Sequence, residues 1–214
     1  MAMEYRSYSS IRDTVQPGDI MAFGGKGEFS DIIKWATRSV VSHVGIVLQS
    51  TVGGIELAMN QLIESTSLNG FSGVTINRLS DRVDQYDGEI WWLPLGKKTR
   101  AKLDLTAFLK WCLMQDRKPY DMPQAVKSAL DQLDKVPILG HATHNVEDFA
   151  RFFCSELAAA ALEAGGAVPE LNASEVTPVD LCSFNIYDDL YVQVKGARKE
   201  IRTYNRFDPA GWGT

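Results

Sequence analysis

Apolar positions in the first hundred residues fall in short runs separated by turn-forming residues, which is the pattern of a sheet. The turn Pro17-Gly18-Asp19 leads into Ile20-Met21-Ala22-Phe23, which predicts a short strand broken by Gly24-Gly25-Lys26-Gly27. Ser30 is placed to cap a helix over residues 31–38, with Ile32, Ile33, Trp35 and Ala36 as its buried stripe. Residues 43–48 hold the β-branched Val44, Ile46 and Val47 and predict a second strand. Gly53-Gly54 reads as a hairpin turn, and residues 55–58 and 61–65 predict two strands parted by a turn near Asn60. Residues 73–79 alternate imperfectly and predict an edge strand. Residues 89–95 are strongly β-like, with Pro94 pointing to an edge at their far end.

The second half changes period. Leu105, Phe108, Leu109, Cys112 and Leu113 recur at helical spacing and predict an amphipathic helix over residues 103–116. Pro123 suits the first turn of another helix reaching about Leu133. Residues 154–163, Cys-Ser-Glu-Leu-Ala-Ala-Ala-Ala-Leu-Glu, have high helix propensity and end at Gly165-Gly166. A late strand is expected at residues 190–194. Strands first and helices afterwards predict an α+β fold with a central antiparallel β-sheet packed by helices. No repeat or linker divides the chain, so residues 1–214 are expected to form a single domain, with a helical insertion at about residues 97–151.

Composition narrows the partners. Hydrophobic residues at 45% and charged residues at 23% are ordinary for a folded protein and exclude a disordered one. The net charge of -5 argues against nucleic acid or an anionic bilayer as the main partner. Apolar runs are too short for an integral membrane segment, and Met1-Ala2-Met3-Glu4-Tyr5-Arg6 does not read as a secretory signal. A cytoplasmic location is the expectation. Three cysteines without CxxC spacing suit a reducing compartment. Oligomeric state has no signature in the sequence.

One of those cysteines sits where chemistry is favoured. A cysteine nucleophile acts as its thiolate, which the positive end of a helix and a nearby imidazole both stabilise. Cys154 lies at the start of a predicted helix, after Phe152-Phe153, where first-turn amides also suit an oxyanion. A small buried core residue is an equally good reading of Cys154 on local evidence. His43, at the head of a strand, is the best-placed base among the three histidines. Glu64, ending a strand expected beside it, could orient the second ring nitrogen; a solvated strand-end carboxylate fits the same position.

Taken in order, Pro17-Gly18-Asp19-Ile20, Ser42-His43-Val44-Gly45-Ile46-Val47, Leu62-Ile63-Glu64-Ser65 and Phe153-Cys154-Ser155-Glu156-Leu157 carry a resemblance. The chain resembles the circularly permuted branch of the NlpC-type papain-like cysteine hydrolases, in particular the YiiX/YebB-like group. The lecithin:retinol acyltransferase-like proteins are similar in the same way, with histidine preceding cysteine. Pro119-Tyr120-Asp121 and Thr177-Pro178-Val179-Asp180-Leu181 resemble further landmarks, so the likeness spans roughly residues 15–182. It implies a permuted papain-like fold with Cys154 as nucleophile, His43 as base, Glu64 as third member and Tyr120 lining the substrate site. It also implies a cysteine peptidase or amidase that cleaves a peptide-like amide through a thioester and needs no cofactor. Lipid acyl hydrolysis or transfer is the enzymatic alternative, and a non-catalytic lipid- or peptide-binding module is the alternative of another class.

Other candidates are set aside. Cys112 shares an apolar stripe with Phe108 and Leu109, and Cys182 has no helix start behind it, so both are expected to be structural. His141 and His144 are spaced for a metal but lack a matching ligand cluster, so no metal is expected. Gly24-Gly25-Lys26-Gly27 lacks phosphate-loop spacing.

Overall fold

The computed structural model describes residues 3–25, 38–51, 58–68, 70–119 and 152–213. Strands β1 (Met3–Tyr5), β2 (Ile20–Gly25), β3 (His43–Thr51), β4 (Ala58–Leu68), β5 (Phe71–Arg78), β6 (Gly88–Leu93) and β7 (Tyr191–Lys195) form a seven-stranded sheet. Its order is β1-β7-β6-β2-β3-β4-β5. Every neighbouring pair is antiparallel except β1 and β7, which run parallel. The fold is therefore α+β with a mixed sheet, where the sequence pointed to an antiparallel one; the three-residue strand β1 is too short to carry a period.

Helices cover both faces. Helix α1 (Tyr8–Ile11) and α2 (Leu79–Gln85) pack on one face with Met21, Phe23, Val47, Leu62, Ile90 and Trp92. Helices α3 (Lys97–Lys102), α4 (Leu105–Gln115), α5 (Phe152–Ala164) and α6 (Pro178–Ser183) follow later in the chain. On the other face α4, α5 and α6 share the larger core with Ile20, Ala22, Val44, Ile46, Ile63 and Trp91. Alternate residues of β2 and β6 thus enter opposite cores, and Ile20–Phe23 and Ile90–Leu93 are continuous apolar runs because both faces are buried.

Several expectations change. Residues 58–68 form one strand that passes straight through Asn60, whose amide bonds to the Tyr8 hydroxyl, the Arg12 carbonyl and the Gln49 side chain. Asn60 suggested a turn from composition; tertiary partners hold it extended. β6 lies inside the sheet between β2 and β7, and Pro94 falls after its last residue, where no ladder amide is needed. The helix expected over 103–116 is α4, which Asp104 caps by accepting the Ala107 amide, and a separate short helix not foreseen in the sequence, α3, ends before Leu103. Cys182 does have a helix start behind it. Thr177 and Asp180 form a reciprocal capping box and Pro178 occupies the first turn of α6. Cys182 is buried in that helix.

The remaining elements match. β5 is an edge strand, β7 falls at the expected late position, and α5 stops at Gly165 and Gly166, the latter with φ 70°. The helix expected over 31–38, apart from Arg38, the strand expected at 55–58, apart from Ala58, the turn at Gly53-Gly54, the helix from Pro123, and His141 and His144 lie outside the described residues, as do Lys26 and Gly27 of Gly24-Gly25-Lys26-Gly27.

Asp19 explains the Pro-Gly-Asp turn. Its buried carboxylate accepts the Gln16 amide at 2.8 Å, the Trp92 indole N–H at 2.9 Å and the Leu95 amide at 2.9 Å, and it pairs with Arg100. One side chain therefore ties the entry of β2 to the exit of β6 and to α3. Burial raises its pKa, against the opposing pull of Arg100 and these donors.

Candidate active site

The pairing of β3 with β4 runs from Thr51 opposite Ala58 to Ile46 opposite Ile63, and there it stops. Beyond that point residues 43–46 remain paired with β2, while residues 64–68 remain paired with β5. The two strands part, and the residues at the parting are His43 and Glu64. Gly45 stands beside it: a Cβ there would lie 2.8 Å from the Leu62 Cγ, so the close approach of that side chain needs glycine.

Across the parting, His43 Nε2 and Glu64 Oε2 are 2.8 Å apart, with both residues buried. Glu64 has no exposed surface and is saturated with donors. Arg82 reaches it with two nitrogens, Nε to Oε1 and Nη2 to Oε2 at 2.9 Å, and Asn77 donates to Oε1 at 3.1 Å. Burial pushes the carboxyl pKa up, but the His43 hydrogen bond and the Arg82 charge outweigh it and hold it down at about 2. Glu64 is therefore a carboxylate near neutral pH and accepts only, so Nε2 of His43 carries a hydrogen. Nδ1 is left as the nitrogen that exchanges a proton.

Cys154 acts on that ring from the other side of the sheet. By strand alternation Glu64 shares a face with Leu62, in the smaller core, whereas Cys154 belongs to the larger core with Val44 and Ile46. Only where the strands separate can groups from both faces meet one imidazole. Burial lowers the His43 pKa; the charge of and polar contact with Cys154, then the bond and charge of Glu64, outweigh it and raise it to about 9. No hydrogen bond of ordinary geometry ends on Nδ1 among the described residues.

Cys154 is the third residue of α5, Phe152–Ala164. Sequence reading placed it at the helix start; it stands two residues inside that end. It is 0% exposed, so a reagent reaches the sulfur only if the surroundings open. Burial pushes Cys112 up to about 12, and Cys182 is raised further still by burial and by the nearby Cys154. None of the three is in a disulfide.

The structure thus brings Cys154, His43 and Glu64 together. Tyr120 lies outside the described residues. Arg82, Asn77 and Phe23 escaped the sequence reading. Arg82 shares the buried stripe of α2 with Leu79 and Val83, and its guanidinium lies 5.5 Å from the ring centroids of both Phe23 and Tyr86. An arginine on an apolar stripe was the signal available, and it is a weak one. Phe23 also packs on the His43 ring, with centroids 5.4 Å apart.

Among the described residues no cluster of three His, Cys, Asp or Glu could hold a metal ion, and no helix is long and apolar enough to cross a membrane. Scanned against models of known protein families the chain matches none, and no curated protein sequence matches it.

Proposed function

We propose that the protein is a cysteine hydrolase of the permuted papain-like, NlpC-type kind, cleaving a peptide-like amide through a thioester. The observation that carries this reading is the buried chain Cys154, His43, Glu64, in which the thiol lies in the first turn of a helix and faces the one imidazole nitrogen that Glu64 leaves available. A buried cysteine kept only for packing needs no ionisable partner, whereas here a buried imidazole backed by a carboxylate interacts with it.

In the proposed reaction the Cys154 sulfur attacks the amide carbon, and an S–C bond forms. First-turn amides of α5 receive the oxyanion. His43 passes its Nδ1 proton to the departing amine as the C–N bond breaks. Water then attacks the thioester, gives a proton to His43, and the S–C bond breaks to release the acid. Glu64 keeps its own charge state throughout and holds the ring in the tautomer that points Nδ1 at the sulfur.

The test is alkylation with iodoacetamide near neutral pH, read by mass spectrometry at each cysteine. Cys154 should react at least tenfold faster than Cys112 and Cys182, and His43→Ala should slow it. Equal labelling of the three thiols, or indifference to His43→Ala, removes the support for a catalytic thiol.

A further inference from the structure

A buried carboxylate paired with one histidine imposes a constraint. If Glu64 had only His43 as partner, loss of the ring proton would leave an unpaired anion in the interior, which is strongly unfavourable. The histidine would then be held as a permanent counter-ion and could not serve as a base. Here Glu64 has a second cation: Arg82 grips both of its oxygens and is itself buried between Phe23 and Tyr86. Arginine stays charged at any working pH. Glu64 therefore remains compensated whichever state His43 adopts.

We infer that Arg82 is a positioning residue that neutralises Glu64 and so frees His43 to cycle between imidazole and imidazolium. This rests on the proposed hydrolase reading for its purpose, though not for its measurement. The groups facing His43 among the described residues are Glu64 from β4, Cys154 from α5 and the ring of Phe23 from β2. Arg82 comes from α2 behind Glu64, and Asn77 and Thr75 from β5 add only neutral contacts. The sign follows from Coulomb's law. Removing the guanidinium removes a positive charge close to the ring and strengthens the hold of Glu64 on its proton.

The experiment is an NMR titration of the full chain labelled in its histidines, in a Cys154→Ala background so that the thiol makes no contribution. Arg82→Gln should raise the His43 midpoint by about one pH unit, tenfold in proton affinity. Arg82→Lys, which keeps the charge and loses the fork, should restore most of the parent value. An unchanged midpoint in folded Arg82→Gln overturns the inference, as does an equal shift in both variants, which would mark a packing effect. Should Arg82→Gln fail to fold, Glu64→Gln and Glu64→Gln/Arg82→Met decide together: burial of the ring is common to both, so the midpoint should be lower where the cation remains. Equal midpoints in the two show that the Arg82 charge does not reach the ring. Absence of thiol reactivity at Cys154 would remove the hydrolase reading and leave this titration result standing.

Discussion

Glu64 meets His43 Nε2 at 2.8 Å at the point where β3 and β4 stop pairing, so the two residues are joined through side chains where the backbone ladder no longer joins them. The sheet gives up part of a ladder and receives an ion pair in its place. Several consequences can be measured.

Glu64→Ala should cost about 3–5 kcal/mol of stability, because it leaves the Arg82 guanidinium buried without its counter-charge. Urea unfolding measures it. Replacing Glu64 and Arg82 together, by Gln and Met, should cost less than Glu64→Ala alone. A double replacement that is the more harmful of the two contradicts the idea of an orphaned charge.

Stability should depend on pH with a broad summit. Glu64 sits below its ordinary 4.5, so its contribution is present above pH 4.5 and is lost as pH falls toward about 2. His43 sits above its ordinary 6.5, so its contribution is complete below pH 6.5 and is lost as pH rises through about 9. The unfolding midpoint should be highest between these limits and decline on both sides. His43→Gln should flatten the alkaline decline. A midpoint that climbs from pH 7 to 9 in the parent protein is incompatible with this assignment.

Gly45→Ala should destabilise by about 1–3 kcal/mol through overpacking against Leu62. The methyl group would press on the hinge side of the parting, so iodoacetamide labelling of Cys154 should change as well. Leu62→Ala in the same chain should recover part of the loss. Additive costs for the two substitutions would show that they do not touch.

Asp19→Ala should cost about 3–5 kcal/mol, since it orphans the Arg100 charge, two buried donors and the part-buried Gln16 amide at once. Thermal unfolding gives the comparison. Because Asp19 lies at the β2 entry and the proposed site at the β3–β4 parting, the rate of Cys154 labelling in the folded fraction should match the parent. A Tm within a degree of the parent would contradict the account of the Pro-Gly-Asp turn.

Strands buried on both faces were legible because their apolar runs are continuous, as in Ile20 to Phe23. So was the helix carrying Cys154, whose alanines and terminal glycines fix its length and end. His43 and Glu64 could be placed on neighbouring strands from pattern alone. Their meeting could not, since it depends on a ladder that ends at Ile46 and Ile63, and register breaks leave no trace in a period of two. Asn60 misled because composition favours a turn there, whereas partners from α1 and β3 hold it in a strand. Arg82 stayed hidden because its partner, Glu64, lies on a different element eighteen positions away. Local pattern marks a residue as out of place; only the fold says what it answers to.

The parallel pairing of Met3–Tyr5 with Tyr191–Gln193 has a bearing on the order in which the molecule assembles. During translation the first strand leaves the ribosome long before its native neighbour exists. It must wait, while β7, once made, presents an open flank that any extended peptide could occupy. Nascent chains arrested ahead of Tyr191 should therefore leave residues 3–5 open to protease, and release of the last strand should close them off.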